Sequence, residues 1–158
     1  MAILLLTVVT LAYAGYNLFV KVSGDHMPET ATSTVLATYC LQMGAMASTT
    51  VFLAFLTFQG GHSLRLSGSA YGWAVVAGLC IGIAEVCYFY IFGGVGGIKP
   101  LPANLVIPTV VAGTIVITLV VSFFVFKERL SFLQIVGAAM IIGGIVVMFT
   151  GHRGVGHV

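Results

Sequence analysis

Hydrophobic residues in this chain are gathered into five long runs, separated by short polar or glycine-rich stretches. The runs are Ala2–Val20, Ala31–Phe58, Tyr71–Phe92, Leu101–Phe126 and Ser131–Phe149. A helix needs about 20 apolar residues to cross the hydrocarbon core of a bilayer, whereas a membrane β-strand needs about 10 alternating residues. The pattern therefore predicts an all-α membrane protein with five transmembrane helices, each satisfying its own backbone hydrogen bonds in lipid.

The composition agrees with a lipid environment and excludes several soluble classes. Hydrophobic residues make up 59% of the chain and charged residues 6%, against about 25% charged in a typical soluble domain. A net charge of +2 provides no basic patch for nucleic acid. The N-terminus has no basic stretch before its apolar run, so we expect that run to be kept rather than cleaved as a signal peptide. We expect residues 1–150 to form one transmembrane domain and residues 151–158 a short polar tail.

Motifs for catalysis or metal binding are missing from the sequence. It contains no phosphate-binding loop, zinc-protease motif or nucleophile elbow. The three cysteines, Cys40, Cys80 and Cys87, lie in apolar runs without the spacing of a zinc site or a disulfide framework. We therefore expect no enzyme, no catalytic residue, no metal and no cofactor.

Polar side chains inside apolar runs are costly to bury in lipid, so their positions indicate function. Tyr13, Asn17 and Lys21 follow Thr10 at spacings of three or four residues, which places all four on one face of the first helix. Gln42 is the lone strongly polar residue of the second run. Lys21 has two open interpretations: it extends to the lipid headgroups, or it partners Glu85 or an anionic solute.

Glu85 is the only charged residue well inside a run. An ionised carboxylate there is costly, so Glu85 must carry a proton or meet a partner, and Tyr88 is close enough along the helix to supply a hydrogen bond. Two interpretations remain open: Glu85 binds a proton or a solute, or it ties helices together. Measured from the same membrane side, Asn17, Glu85, Gln42 and Thr109 have comparable depths and predict a polar layer.

Two further patterns predict local structure. Gly78 and Gly82 have the spacing that permits close approach of a neighbouring helix. Ser131 and Gln134 fit a capping box, in which the serine caps the fifth helix and the glutamine bonds back to it.

The distribution of positive charge leaves the membrane orientation open. With five spans, Arg65, Lys127 and Arg129 fall on the side of the N-terminus, and Lys21, Lys99 and Arg153 fall on the other side. An excess of Lys and Arg normally keeps one side in the cytoplasm. The balance allows either a single orientation set by other signals or insertion in both orientations, which would give antiparallel dimers.

The last two runs and their connection carry a recognisable set of residues: Pro108, Gly113, Glu128, Leu130, Ser131, Gln134, Gly137, Ile141 and Gly144. The first run adds Ala14, Gly15, Tyr16 and Asn17, followed by Lys21 and Gly24, and the third adds Tyr88 and Tyr90 before a glycine-rich turn. In this pattern, which covers nearly the whole chain, the protein resembles an EamA domain of the drug/metabolite transporter superfamily.

The resemblance implies a single EamA-like five-helix bundle in the inner (plasma) membrane, transporting small organic solutes, metabolites or drugs with protons as a candidate coupling ion. Most members carry two such halves, inverted within one chain. One half implies a half-transporter that works as an inverted homodimer or pairs with a second half. Small multidrug exporters of the superfamily have an essential glutamate in the first helix, where this chain has none, so a role for Glu85 is not implied by position. A second hypothesis is a non-transporting membrane subunit or assembly partner.

Overall fold

The computed structural model describes residues 1–61 and 65–155, with side chains as far as residue 151. These ranges contain five α-helices and no strand. The helices are α1 (Ala2–Asp25), α2 (Ala31–Gln59), α3 (Gly68–Gly93), α4 (Ala103–Phe124) and α5 (Phe132–Val155), with a short 3₁₀ turn at Val95–Gly97. All five are long and apolar enough to cross a membrane. The prediction of an all-helical chain with five candidate spans is confirmed.

Helix α1 continues past the predicted end of its apolar run, from Val20 to Asp25. Lys21 forms an ion pair with Asp25 one turn later, and such pairs stabilise a helix. The charges therefore belong to the last turn of the helix rather than to the connection. Helix α5 likewise runs on to Val155, beyond the apolar run that ended at Phe149.

Side-chain caps begin α2, α3 and α5. The backbone amide of Ser131 donates to Oε1 of Gln134 at 2.7 Å, and the amide of Gln134 donates to Oγ of Ser131 at 3.3 Å. This reciprocal arrangement confirms the predicted capping box. At the start of α2, the Thr30 hydroxyl accepts from the amide of Ser33 at 3.2 Å. Each cap satisfies an amide that has no partner within the helix.

The helices fall into two compact units. The first, Met1–Pro100, contains α1 to α3, and the second begins at Leu101 and contains α4 and α5. In the first unit α3 packs against both α1 and α2, and in the second α4 packs against α5. The buried apolar side chains of the first unit lie towards the ends of α1 and α3: Val20, Tyr88, Phe89, Phe92 and Val95.

Helices α1 and α3 lie in close contact at Gly24. A Cβ atom there would lie 2.9 Å from Cβ of Phe92, too close for two carbon atoms. In the described part of the chain, a Cβ on Gly78 would meet nothing within 4 Å, and one on Gly82 would meet only Nε2 of Gln42, at 4.0 Å. Within the first unit the close contact therefore lies at Gly24 and not at Gly78 or Gly82, because the spacing of two glycines does not determine which helix face meets a neighbour.

The outer surfaces of the helices are strongly apolar. Large hydrophobic side chains are exposed along every helix, among them Phe52, Trp73, Ile117 and Met140. Soluble monomeric proteins rarely expose so large an apolar surface. This distribution is consistent with a multi-pass membrane protein.

Candidate functional site

The first unit contains a buried carboxyl group that joins two helices. Glu85 lies on α3 and is only 3% exposed. The hydroxyl of Tyr16, a half-buried residue of α1, donates a hydrogen bond to Oε1 of Glu85. The bond links groups 69 positions apart in the sequence and fixes the carboxyl at the contact between α1 and α3.

The second oxygen of this carboxyl group has a different environment. Oε2 of Glu85 is buried, yet it has no hydrogen-bond partner among the residues that the structure describes. Most buried polar atoms in folded proteins have at least one partner, and an unpartnered one costs about 1–3 kcal/mol. Because Tyr16 donates to Oε1, a proton on the neutral acid would reside on Oε2. The same atom would face a cation if the acid were ionised.

Aromatic rings flank this pair on both helices. The Tyr13 ring meets the Tyr16 ring edge-to-face, with centroids 6.2 Å apart and planes at 83°. Tyr88 is buried and packs edge-to-face on Phe92, at 5.1 Å and 73°. Such arrangements are favoured by the ring quadrupoles. The hydrogen bond that the sequence led us to expect from Tyr88 comes from Tyr16 instead, since Tyr16 on the neighbouring helix faces the carboxyl group.

Asn17 and Gln42 were predicted to share a polar layer with Glu85. Asn17 is buried, and its Nδ2 donates to the backbone carbonyl of Tyr13 at 2.8 Å, so this donor is used within α1. Gln42 is half-buried on α2, where its Nε2 lies beside Gly82 of α3. Gln42 of α2 therefore lies beside α3, about one turn from Glu85.

Threonine hydroxyls contribute little to this layer. Thr34 and Thr38 are buried on α2 and donate to backbone carbonyls four residues earlier, at 3.2 and 3.0 Å. Thr109, in the second unit, does the same with the carbonyl of Leu105 at 2.6 Å. These bonds satisfy the hydroxyl donors locally, so a solute is not needed to pair them.

Lys21 lies in the last turns of α1, five residues beyond Tyr16. Its ammonium pairs with Asp25 and sits 5.7 Å from the ring centroid of Phe92, within range of a cation–π interaction. Among the contacts of the described residues, Lys21 has none with Glu85. The open alternative of a Lys21–Glu85 ion pair is therefore not found, because an acidic residue one turn away on the same helix is nearer.

Tyr16 is the residue that the sequence argument for the site missed. It had appeared only in the family resemblance, because the polar stripe was built on Tyr13, Asn17 and Lys21. Tyr16 follows Tyr13 by three residues, so it shares that side of α1. A rule that admitted every tyrosine within one turn of a polar stripe would have found it.

A groove of about 820 Å³ runs between α1 and α2. We call it the α1–α2 groove. Its walls are mainly apolar, and the residues lining it are Tyr16, Phe19, Val20, Ser23, His26, Met27, Pro28, Ser33, Leu36, Ala37, Cys40, Leu41 and Phe89. Tyr16 therefore contacts both the groove and the buried carboxyl group. In the described ranges no three His, Cys, Asp or Glu side chains come together as they would to hold a metal ion.

Comparison of the chain with protein-family models, with curated proteins and with solved structures gave no significant match. The functional interpretation therefore depends on the geometry around Glu85 and on the residue pattern of the sequence.

Proposed function

We propose that the protein is a membrane transporter for small organic solutes, with Glu85 as its proton- or solute-binding group. The observation that carries the proposal is Oε2 of Glu85, a buried carboxylate oxygen without a hydrogen-bond partner among the described residues. Ionisable side chains inside membrane helices usually belong to a substrate or proton pathway.

In this proposal, a proton and the positive group of a solute compete for Oε2 of Glu85. The Tyr16 hydroxyl donates a hydrogen bond to Oε1 whether the acid is neutral or ionised. Oε2 then carries a proton or faces the positive group of a solute, and it cannot do both. Placing an ionisable side chain at the centre of a membrane helix costs about 2.5–3.5 kcal/mol, so each occupant relieves a comparable penalty. Exclusive binding of this kind couples solute movement to proton movement.

The resemblance to EamA domains supports the proposed architecture. A chain with one five-helix half would work as an inverted homodimer, or with a second half, and alternate access around the Glu85 layer. The even distribution of Lys and Arg between the two sides supports an antiparallel pair. We place the protein in the inner (plasma) membrane on the same resemblance.

A non-transporting membrane subunit is the second candidate, because the hydrogen bond between Tyr16 and Glu85 would also tie α1 to α3 in a scaffold. A helix tie does not need a carboxyl group, since a glutamine in its place would satisfy Tyr16 equally well. The unpartnered oxygen therefore favours transport.

A reconstitution experiment separates the two functions. The purified protein is placed in liposomes that contain a pH-sensitive dye, and a panel of organic amines, quaternary ammonium ions and neutral solutes is added outside. We expect at least one solute to drive proton movement in wild type, and Glu85→Gln to abolish it. Glu29→Gln, which changes an exposed acid between α1 and α2, is the matched control and should retain it.

Two results would count against the transporter. Equal solute-driven fluxes in wild type and Glu85→Gln would make Glu85 a structural tie. If no solute in the panel changed the dye signal, the result would favour the membrane subunit.

A further inference from the structure

The α1–α2 groove has the polarity of one leaflet of a bilayer. Its polar side chains other than Tyr16 and Cys40 lie where α1 ends and α2 begins: Ser23, His26 and Ser33. Further in, the walls are apolar, with Val20, Leu36 and Phe89 among them. The volume of about 820 Å³ lies within the range of about 300–1,000 Å³ for ligand pockets, which are typically apolar with a few polar groups.

The depth of the groove also matches one leaflet. At about 1.5 Å per residue, Tyr16 lies roughly 14 Å from the end of α1 at Asp25. By the same measure, Leu41 lies roughly 15 Å from the start of α2 at Ala31. Half of a hydrocarbon core of about 30 Å is about 15 Å. A hydrocarbon chain that enters beside the connection would therefore end near Tyr16.

Charged side chains lie beside the polar end of the groove but not in its described lining, and Glu29 is exposed in the connection there. No Lys, Arg, Asp or Glu belongs to that described lining, and the nearby Lys21 is neutralised by Asp25. Nδ1 of His26 lies 2.7 Å from the carbonyl of Val22. A carbonyl only accepts, so Nδ1 is the donor in this contact. Together with the hydroxyls of Ser23 and Ser33, this end is suited to a head that bears hydroxyl groups.

We propose that the α1–α2 groove binds an amphiphile with one hydrocarbon chain and an uncharged, hydroxylated head, of the monoacylglycerol type. The head lies at the His26 end, and the chain reaches Tyr16. Binding rests on the groove alone and does not depend on the proposed transport.

The first test uses a monoacylglycerol with a diazirine in its chain, added to the full-length protein in phosphatidylcholine nanodiscs. Photolabelled residues are mapped by mass spectrometry with and without excess glycerol monooleate. With a competitor of similar affinity in about tenfold excess, labelling between residues 16 and 41 should fall about tenfold, because probe and competitor share one site. Labelling on the exposed faces of α2 and α3 should not change.

The head group is tested by changing only the competitor. Oleate and oleyl-trimethylammonium carry the same chain with a negative or positive head. Glycerol monooleate should displace the probe best. Equal displacement by either charged competitor would overturn the uncharged-head assignment, and the absence of competable labelling in the groove would overturn the site.

Cys40 offers a measurement without a bulky substitution. Cys40 and Cys80 are both exposed, but Cys40 lines the groove and Cys80 does not. In a protein that retains only Cys40, glycerol monooleate should slow alkylation by a membrane-permeant maleimide. In the matched protein that retains only Cys80 the rate should stay the same, and equal slowing of both would contradict the proposal.

A bulky side chain inside the α1–α2 groove should block binding. Ala37→Trp fills the middle of the groove and should abolish competable labelling, while Ala47→Trp, on an exposed part of the same helix, should not. These readouts measure binding rather than transport. Competable binding without any solute flux would refute the proposed transport alone, and solute flux without competable binding would refute the groove proposal alone.

Discussion

The Tyr16 hydroxyl donates a hydrogen bond to one carboxyl oxygen of Glu85, and the other oxygen has no partner among the described residues. The two residues come from α1 and α3, so the bond both joins helices and orients the carboxyl group. The donor fixes which oxygen can receive a proton. This asymmetry is the basis of the transport proposal.

Removing the Tyr16 hydroxyl should therefore have a larger effect than its size suggests. In Tyr16→Phe both oxygens of Glu85 lack a donor, while the ring that lines the groove remains. We expect the free energy of unfolding to fall by about 1–3 kcal/mol, the usual cost of an unsatisfied buried polar group. Thermal denaturation in detergent would measure the loss.

The matched control is Tyr13→Phe, since the Tyr13 side chain is 60% exposed and its ring merely meets that of Tyr16. Its unfolding temperature should stay near that of wild type. If the two variants were equally stable, the bond between Tyr16 and Glu85 would not contribute to the fold.

Several features of this structure could be predicted from the sequence because they are local. The five helices follow from apolar runs, and the cap formed by Ser131 and Gln134 follows from a four-residue pattern. The burial of Glu85 could be predicted from the cost of charge in lipid. Its partner could not, because the rotation of α1 about its axis decides whether Tyr13, Tyr16 or Asn17 faces α3, and that rotation depends on packing between helices.

The packing of α1 on α3 should be sensitive to any side chain at Gly24. Gly24→Ala would place a carbon 2.9 Å from Cβ of Phe92, so one helix must move. Overpacking of this kind costs about 1–3 kcal/mol. We expect a lower unfolding temperature and a lower yield of monodisperse protein in detergent.

Gly78→Ala is the control, because its added Cβ would meet nothing within 4 Å in the described part of the chain. Alanine is favoured over glycine inside a helix by about 1 kcal/mol, so this variant should be as stable as wild type or more so. Greater damage from Gly78→Ala than from Gly24→Ala would place the close contact in an assembly of chains rather than within the first unit.

Membrane orientation should respond to small changes in charge. Neither side of the membrane has an excess of Lys and Arg that would keep it in the cytoplasm. One side has Arg65, Lys127 and Arg129, and the other has Lys21, Lys99 and Arg153. Reporters fused to the C-terminus should be active on both sides of the membrane in one population. Two lysines inserted near residue 155 should shift the population to one orientation, and two serines should not. A single orientation that persists after Arg153→Ala would rule out dual insertion.

The binding of a cationic solute should depend on pH through Glu85. If proton and solute compete for Oε2, binding of the cation releases one proton. The observed affinity then rises with pH, by up to about tenfold per pH unit while the acid is protonated in the free protein, and levels off once it is ionised. Isothermal titration in two buffers of different ionisation enthalpy would count the released proton directly.

Substitutions of Glu85 distinguish the loss of a titrating group from a change in side-chain shape. Glu85→Gln keeps the acceptor for Tyr16 and nearly the same volume but cannot titrate, so it should fold normally, bind the cation weakly and show a flat pH profile. Glu85→Asp retains a carboxyl group on a shorter side chain, so we expect weaker binding that still rises with pH. Glu29→Gln should behave as wild type, because that acid is exposed between α1 and α2. Should Glu85→Gln keep the affinity and pH profile of wild type, the proton and the solute would have to meet elsewhere, and Glu85 would be a tie between helices.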